Sequence, residues 1–382
     1  MTAPLGVWLL GARGAVATTT LVGAAAARRG LTGTTGMVTE REPVASAPTC
    51  PVASMVFGGH DVRDTPLREA ALALTGGAGP LDPGLVRAVE GDLADAEGHL
   101  RPAPPAGGSA RAFVQAVQRD LEAFAEATGA RRTVVVNVAS TEPPPAAHPA
   151  HDDLPALEAL IDRGSGPGPA LPASLLYAYA AIDAGLPYVN FTPSVGASVP
   201  ALEELARERR VPHAGRDGKT GETLLKSALA PMFASRNLRV RSWSGVNMLG
   251  NGDGRTLSDP AAAASKTQGK ARVVPDILGY EPHTLVRIDY VPSLGDWKTA
   301  WDLIQFEGFL GTPMSLQLTW QGSDSALAAP LVLDLVRLVD LAAERGEAGA
   351  LGHLAFFFKA PLGSDTHDLA AQYAQLAEHV LC

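Results

Sequence analysis

Residues 6–10 (GVWLL) are a short run of apolar strand formers. The run stops at a glycine turn, Gly11-Ala12-Arg13-Gly14, and passes into an alanine-rich helical stretch reaching about Arg29. A buried strand, a tight turn and a helix in that order open a βαβ unit, because a parallel neighbour is reached only by crossing over one face of the sheet. A second strand fits Met37 to Thr39. The clearest central strand is Val134 to Val138 (VVVNV). Its nearly unbroken apolar run suits a parallel strand covered on both faces. A helix over Leu175 to Ala184 then leads into a strand at Tyr188-Val189-Asn190. The alternation predicts an α/β fold built on a doubly wound parallel sheet.

After about Asn237 the texture changes. Segments 238–244 and 285–291 alternate and carry β-branched residues, which predicts a second, more antiparallel sheet. From Ala326 to Ala343 an amphipathic helix returns, bent near Pro330, and the chain rejoins the first unit. Residues 101–109 (RPAPPAGGS) and 142–172 are rich in Pro, Gly and Ala and read as surface insertions without function. With 382 residues the chain can hold two domains, or one large core with an insertion.

A net charge near -9, with no basic domain or arginine stripe, argues against nucleic acid as the main partner. An anionic small molecule stays open, because a local cationic pocket focuses field inside an acidic protein. The two cysteines, Cys50 and Cys382, make no metal or disulfide framework. No basic region precedes the apolar Leu5–Leu10 run, and nothing approaches a membrane span of about 20 apolar residues. The expectation is a cytoplasmic protein without a membrane partner.

Charge usage is lopsided: six lysines stand against 25 arginines, and the first 218 residues contain no lysine. The six are Lys219, Lys226, Lys266, Lys270, Lys298 and Lys359. Where arginine serves for ordinary surface charge, lysine becomes a candidate for work a guanidinium cannot do, since an ammonium loses its proton when desolvated or crowded. Lys266 and Lys270 (SKTQGK) are four apart, so on a helix they share a face and repel unless an anion lies between them. Lys298 ends GDWK, directly after a strand. Lys359 follows three phenylalanines in FFFKAP, which sets it either snorkelling outward or at a pocket wall.

The turn at 11–14 sits where a phosphate cradle belongs, between a first strand and a first helix. The spacing is not G-x-G-x-x-G, so by itself it is equally a tight strand-to-helix connection. A ribose-binding acid about 20 residues on nominates Glu40; Asp61, in the glycine-rich loop Gly58-Gly59-His60-Asp61, is its rival. Two further segments read as polar loops, 215–221 (GRDGKTG), before a helix starting near Glu222, and 247–254 (NMLGNGDG). Asp324 has the position of a helix N-cap.

Together these motifs resemble the inositol-1-phosphate synthases in their shorter bacterial and archaeal form, over nearly the whole length. They are GARGAVATT, GGHD, NVASTEP (137–143), NFTPS (190–194), GRDGKTGET (215–223), NMLGNGDG, SKTQGK, GDWK and FFFKAP, in that order. The resemblance implies an NAD-binding Rossmann domain over 1–236 and an inserted α+β domain for catalysis and tetramerisation over 237–323. Residues 324–382 would then return to the Rossmann domain. It further implies conversion of D-glucose 6-phosphate to 1L-myo-inositol 1-phosphate (1D-myo-inositol 3-phosphate) with catalytic NAD, by C5 oxidation, C6 enolisation, aldol closure and re-reduction. It places Gly11, Ala12, Arg13, Gly14, Ala15, Val16, Asp61, Ser140, Thr141, Asp217, Asp296 and Asp324 at the cofactor, favouring Asp61 over Glu40. It gives Lys266 proton transfer at O5, and gives phosphate binding to Lys270 and Lys298 with the backbone of Asn247, Met248 and Leu249. Lys359 would stabilise the alkoxide at ring closure. Asp217, Asp253 and Asp324 would orient these groups or approach the nicotinamide.

A divalent or monovalent cation could sit at the 247–254 loop, and a homotetramer is implied. Met248, Gly252 and Arg216 depart from the commoner family pattern beside the substrate loops. The alternative they leave open is a five-membered cyclitol phosphate made from D-fructose 6-phosphate by the same chemistry. A plain NAD-dependent dehydrogenase and a silent NAD-binding protein are the remaining alternatives.

Overall fold

The computed structural model describes residues 3–76, 79–250 and 273–381. Its larger sheet follows from strands that are apolar on both sides. In β1 (Leu5–Leu10) and β4 (Arg132–Asn137), Leu5, Val7, Leu9, Val134 and Val136 enter one core, while Trp8, Leu10 and Val135 enter the other. Successive strand residues point to opposite faces, so such a strand must be covered twice. Helices α1 (Ala15–Arg28) and α7 (Asp324–Glu344) cover the first face. The second is covered by α2 (Ala110–Thr128), α3 (Leu154–Arg163), α4 (Ala173–Asp183) and α5 (Pro200–Arg209).

The other strands are β2 (Met55–Asp61), β3 (Leu100–Pro102), β5 (Tyr188–Asn190), β6 (Pro212–Gly215) and β11 (Gly349–Ala350). All seven pair in parallel, in the order β11-β6-β5-β4-β1-β2-β3. The chain runs outward from β1 toward β3, then from β4 the opposite way. The reversal leaves a crevice at the carboxyl ends of β1 and β4, where open α/β sheets bind ligands.

The second sheet has the order β10-β9-β7-β8, from β7 (Arg239–Leu249), β8 (His283–Tyr290), β9 (Trp297–Glu307) and β10 (Pro313–Ser323). Strand β9 is antiparallel to both neighbours, whereas β7 and β8 run parallel. Trp243 and Ile304 pack this sheet on Ala230 and Phe233 of α6 (Glu222–Ser235). No helix among the described residues is long and apolar enough to cross a membrane.

Several local expectations fail for identifiable reasons. The strand at Met37–Thr39 is instead a 3-10 turn, Val38–Glu40. The amides of Val38 and Thr39 donate to the buried Asp334 carboxylate rather than to a neighbouring strand. The GGHD loop is the end of β2, the true second strand. Its glycines allow close packing, since a Cβ on Gly59 would lie 2.2 Å from the Leu9 carbonyl oxygen. Residues 247–249 belong to β7, not to a loop. The 142–172 stretch contains α3, whose Leu154, Leu157 and Ile161 enter the core, so it is no surface insertion.

Candidate active site

At the crevice the sequence builds a phosphate cradle by elimination of side chains. Gly11 has φ +81°, and a Cβ there would sit 2.7 Å from Ala139 Cα, so glycine is required on two counts. The Gly11 and Ala12 amides donate to the His60 carbonyl (2.9 and 3.1 Å), which pins the turn to β2. Helix α1 starts after Gly14 with no side-chain cap, leaving its N-terminal dipole facing the cavity. Gly11, Arg13, Gly14, Ala15 and Val16 line that cavity of ≈ 1110 Å³, whereas Ala12 is fully buried in the core beneath the turn. Arg13 lines it beside its backbone amide, which donates to Asp61 Oδ2 (2.7 Å), while its guanidinium turns to the Thr65 carbonyl and Glu97.

Asp61 ends β2, almost fully buried. Its carboxylate accepts from the Arg13 amide, the Arg63 amide (2.9 Å) and the Arg63 guanidinium (Nε and Nη2, both 3.1 Å). Burial alone would push its pKa up, but the Arg63 and Arg13 donors outweigh burial and hold it below the usual carboxylate value. Glu40, the rival acid, is tied to Arg337 and does not line the cavity. Of the two acids, Asp61 is the one that lines the cavity.

The NVASTEP and NFTPS motifs are the loops after β4 and β5, braced by buried polar side chains. Asn190 Nδ2 donates to the Ser194 carbonyl (2.7 Å), Thr192 Oγ1 donates to Asn190 Oδ1 (2.8 Å), and the Ala139 amide donates to Asn137 Oδ1 (3.1 Å). These bonds hold Ser140 and Thr141 at the cavity wall.

The lining also carries charge. Asp217 lies at φ +64°, a costly conformation for a residue with a Cβ. Its backbone is clamped between Thr192 and Lys359, whose amide donates to the Asp217 carbonyl (2.7 Å). Lys359 Nζ donates to Asp217 Oδ1 (2.7 Å), so FFFKAP sets its lysine at a pocket wall rather than in solvent. Asp324 is not the N-cap of α7; Ser323 is, and Asp324 follows it. Asp324 Oδ1 accepts from Thr220 Oγ1 (2.9 Å) and lies 3.5 Å from Lys298 Nζ. Asp296 accepts from Ser323 and Ser325; burial raises its pKa and these hydroxyls oppose the rise only in part. Asp217, Asp296, Asp324 and Lys359 all line the cavity.

Lys298 stands one layer behind, against the start of α6, where a Cβ on Gly221 would lie 3.3 Å from its Nζ. That helix also lacks a side-chain cap, so a lysine and a helix N-terminus converge on one place suited to a phosphate. Of residues 247–249, Leu249 pairs with Lys298 across the sheet. The fully buried Asn247 donates to Glu222 Oε2 (2.8 Å), and none of the three lines the cavity. Arg216 departs from the family pattern without facing the cavity, since its guanidinium donates to the Pro193 carbonyl (2.6 Å). Lys266, Lys270, Asp253, Gly252 and the cation expected at 247–254 lie outside the described residues or depend on them.

Among the described residues, the groups that could hold a metal ion are Glu347, His353 and His379, none of which lines the cavity. The two imidazoles stack at 3.5 Å and 11°, so their in-plane lone pairs run parallel instead of converging. Sequence reasoning left Lys219 and Lys226 without a role. Both are buried, Lys226 on Glu222 (2.7 Å) and Lys219 on Gln372 of α8 (Leu369–Leu381; 2.5 Å). The signal for both was already present in the scarcity of lysine.

The glycine turn, the open helix N-terminus and the buried acid at the end of β2 fit a dinucleotide, and the cavity slightly exceeds the roughly 300–1,000 Å³ of small-molecule sites. Comparison with known proteins agrees. An NAD-binding family model described as myo-inositol-1-phosphate synthase matches residues 5–380. The chain is 33% identical over 418 residues to inositol-3-phosphate synthase 1 of Bacteroides thetaiotaomicron, covering 99% of this chain and 95% of that one. Its fold superposes on inositol-3-phosphate synthase from Caenorhabditis elegans with a TM-score of 0.87, 24% identity, and coverage of 99% of this chain and 85% of that one. A myo-inositol-1-phosphate synthase-related protein from Thermotoga maritima matches at 0.81 and 25% identity, covering 99% and 98%.

Proposed function

The chain belongs to the myo-inositol-1-phosphate synthase family of NAD-binding, isomerase-type enzymes, and on that footing we propose that it closes D-glucose 6-phosphate into 1L-myo-inositol 1-phosphate. The observation that carries the reading is one cavity lined both by a dinucleotide cradle and by the Lys359–Asp217 pair, Asp296 and Asp324. Bound NAD, held by the 11–16 turn, Asp61, Ser140 and Thr141, would supply reversible hydride acceptance there. The chain's own groups do the rest.

Lys359 holds a proton on Nζ, oriented by Asp217, and offers it to the oxygen that becomes an alkoxide at ring closure. Lys298 and the start of α6, one layer behind the cavity wall, clamp the phosphate with Lys270; the backbone of 247–249 joins them on the resemblance alone. Lys266 moves the proton at O5. Asp324 fixes Lys298, and Asp296 and Asp217 approach the nicotinamide end. Asp253, a bound cation, a homotetramer and the division at 236/237 and 323/324 are parts of the same proposal, carried by the resemblance.

The test is a product assay with NAD+ and glucose 6-phosphate or fructose 6-phosphate, read by phosphorus NMR and by mass after dephosphorylation. Inositol from glucose 6-phosphate without NADH accumulation is expected. A five-membered cyclitol from fructose 6-phosphate would move the substrate, and net NADH would make the protein a dehydrogenase. Binding of NAD without turnover of either sugar would overturn the cyclase reading.

A further inference from the structure

Lys219 does not line the cavity, yet it is built against the group that does. Residues 216–219 and 357–360 run antiparallel. The Arg216 and Ala360 amides donate to each other's carbonyls, the Lys359 amide donates to Asp217, and the Lys219 amide donates to Phe357 (2.8 Å). Lys219 and Lys359 thus sit on paired segments, with Asp217 two residues before Lys219 and directly opposite Lys359. The Lys219 side chain is buried, and among the described residues its hydrogen-bond partner is a neutral one, the Gln372 amide oxygen (2.5 Å). Gln372 is itself buried and locked, since its Nε2 donates to the Thr366 carbonyl.

We propose that Lys219 is a positioning residue for Lys359: an ammonium buried on Gln372 whose charge state sets how firmly Lys359 holds its proton beside Asp217. The proposal rests on the reading of Lys359 as the group serving the reacting oxygen.

An ammonium with a neutral acceptor loses hydration without gaining a countercharge. Burial first, and the neighbouring Lys359 second, bring Lys219 down from 10.5 to about 7. Among the described residues, the charged and titratable groups around it are Lys359 and Asp217 on the paired strands, His367 before α8, which feels the Lys219 charge, Asp365, and Asp276, 3.6 Å from His367. Of the carboxylates, Asp217 is engaged by Lys359 and Asp276 by His367. Two ammonium groups so placed titrate as a coupled pair. When Lys219 is charged, protonated Lys359 is disfavoured; when Lys219 is neutral, Lys359 keeps its proton.

The test is the pH profile of kcat and KM for the full-length enzyme and its variants. The wild-type kcat profile is expected to carry an ionisation near neutral pH that Lys219→Met abolishes, with KM nearly unchanged. Lys219→Arg makes the charge permanent, and is expected to move the alkaline fall of kcat to lower pH by about one unit, the effect of one pH unit of coupling. A Lys219→Met profile that superposes on wild type, or a loss confined to KM, would overturn the proposal.

A second readout is independent of turnover. Lys219 titrates during unfolding, so the urea midpoint of wild type relative to Lys219→Met is expected to climb from about pH 7 to pH 10. In a Lys359→Met background that climb should begin at higher pH. If the climb is absent, or unmoved by Lys359→Met, the coupling is refuted. If wild type makes no product but the climb behaves as stated, the proposed function fails while the coupling stands.

Discussion

Replacing Asp61 by asparagine keeps the shape of the side chain and removes its charge. In the structure four donors from Arg13 and Arg63 converge on the carboxylate, which is buried at the end of β2. Asparagine retains one acceptor and presents an amide to donors that need a second. Hydrogen bonds to a charged group contribute about 1.5–3 kcal/mol each. Loss of the proposed ribose contact should therefore weaken dinucleotide binding by about 10- to 150-fold. Calorimetric titration separates the two halves of the ligand: affinity for ADP-ribose should fall by that factor, and affinity for nicotinamide mononucleotide should hardly move. Glu40→Gln should leave both unchanged, because Glu40 is spent on Arg337.

The pH dependence follows from the same contacts. The folded-state pKa of Asp61 is depressed, so its contribution to stability is present above the unfolded value near 3.8 and disappears as pH falls through the folded one. Wild type and Asp61→Asn should thus converge in urea midpoint in strong acid and differ most near neutrality. A folded Asp61→Asn protein that binds ADP-ribose as tightly as wild type would refute the assignment of Asp61 to the ribose.

Gly59→Ala should be among the most damaging single methyl additions, costing more than about 4 kcal/mol in urea unfolding, since its Cβ meets the Leu9 carbonyl at 2.2 Å within the central sheet. Lys359→Met should lower kcat by about 10²–10³ with little change in KM, the usual effect of losing one donor to a developing oxyanion, as read by steady-state product formation. Asp334 is pushed up from 3.8 to about 6 by burial, against its bonds to Thr39 and Val38. A raised carboxyl stabilises below its unfolded value and loses that stability as pH rises through the folded one. Wild type should therefore lose about 3 kcal/mol relative to Asp334→Asn between pH 3.5 and pH 7 in urea titrations.

The parts of the fold that were legible are those where one chemical pattern leaves one solution. An apolar run such as VVVNV must be covered on both faces, and the glycine turn after GVWLL must precede a helix, so β4, β1 and α1 are found where the residues put them. The failures came where a distant partner decides. Met37–Thr39 has strand composition, but Asp334, almost 300 residues away, takes its amides. GGHD looks like a loop because glycine usually means a turn; here it marks close packing against Leu9 and Phe124. Spacing could not tell that Glu40 is held by Arg337 while Asp61 lines the cavity, because a residue almost 300 positions away decides it.

Charge chemistry explains why the lysines were the better guide. Every lysine among the described residues is buried: Lys219 at 4%, Lys226 at 2%, Lys298 at 6% and Lys359 at 7% exposure. Long amines are rarely buried so deeply unless paired, and a mere surplus of surface charge would put them in water. Arginine in this chain does serve the surface, as at Arg207 and Arg287, and where it is buried it anchors permanent contacts, as Arg337 does to Glu40, Thr39 and the Cys50 carbonyl. A guanidinium cannot be discharged by burial, so it suits a fixed strut. An ammonium can be, as burial brings Lys219 down to about 7 beside a neutral amide, while Lys359, Lys298 and Lys226 stand beside Asp217, Asp324 and Glu222. The proposed reaction moves protons among several oxygens of one sugar, and buried ammonium groups suit that work better than guanidinium groups do.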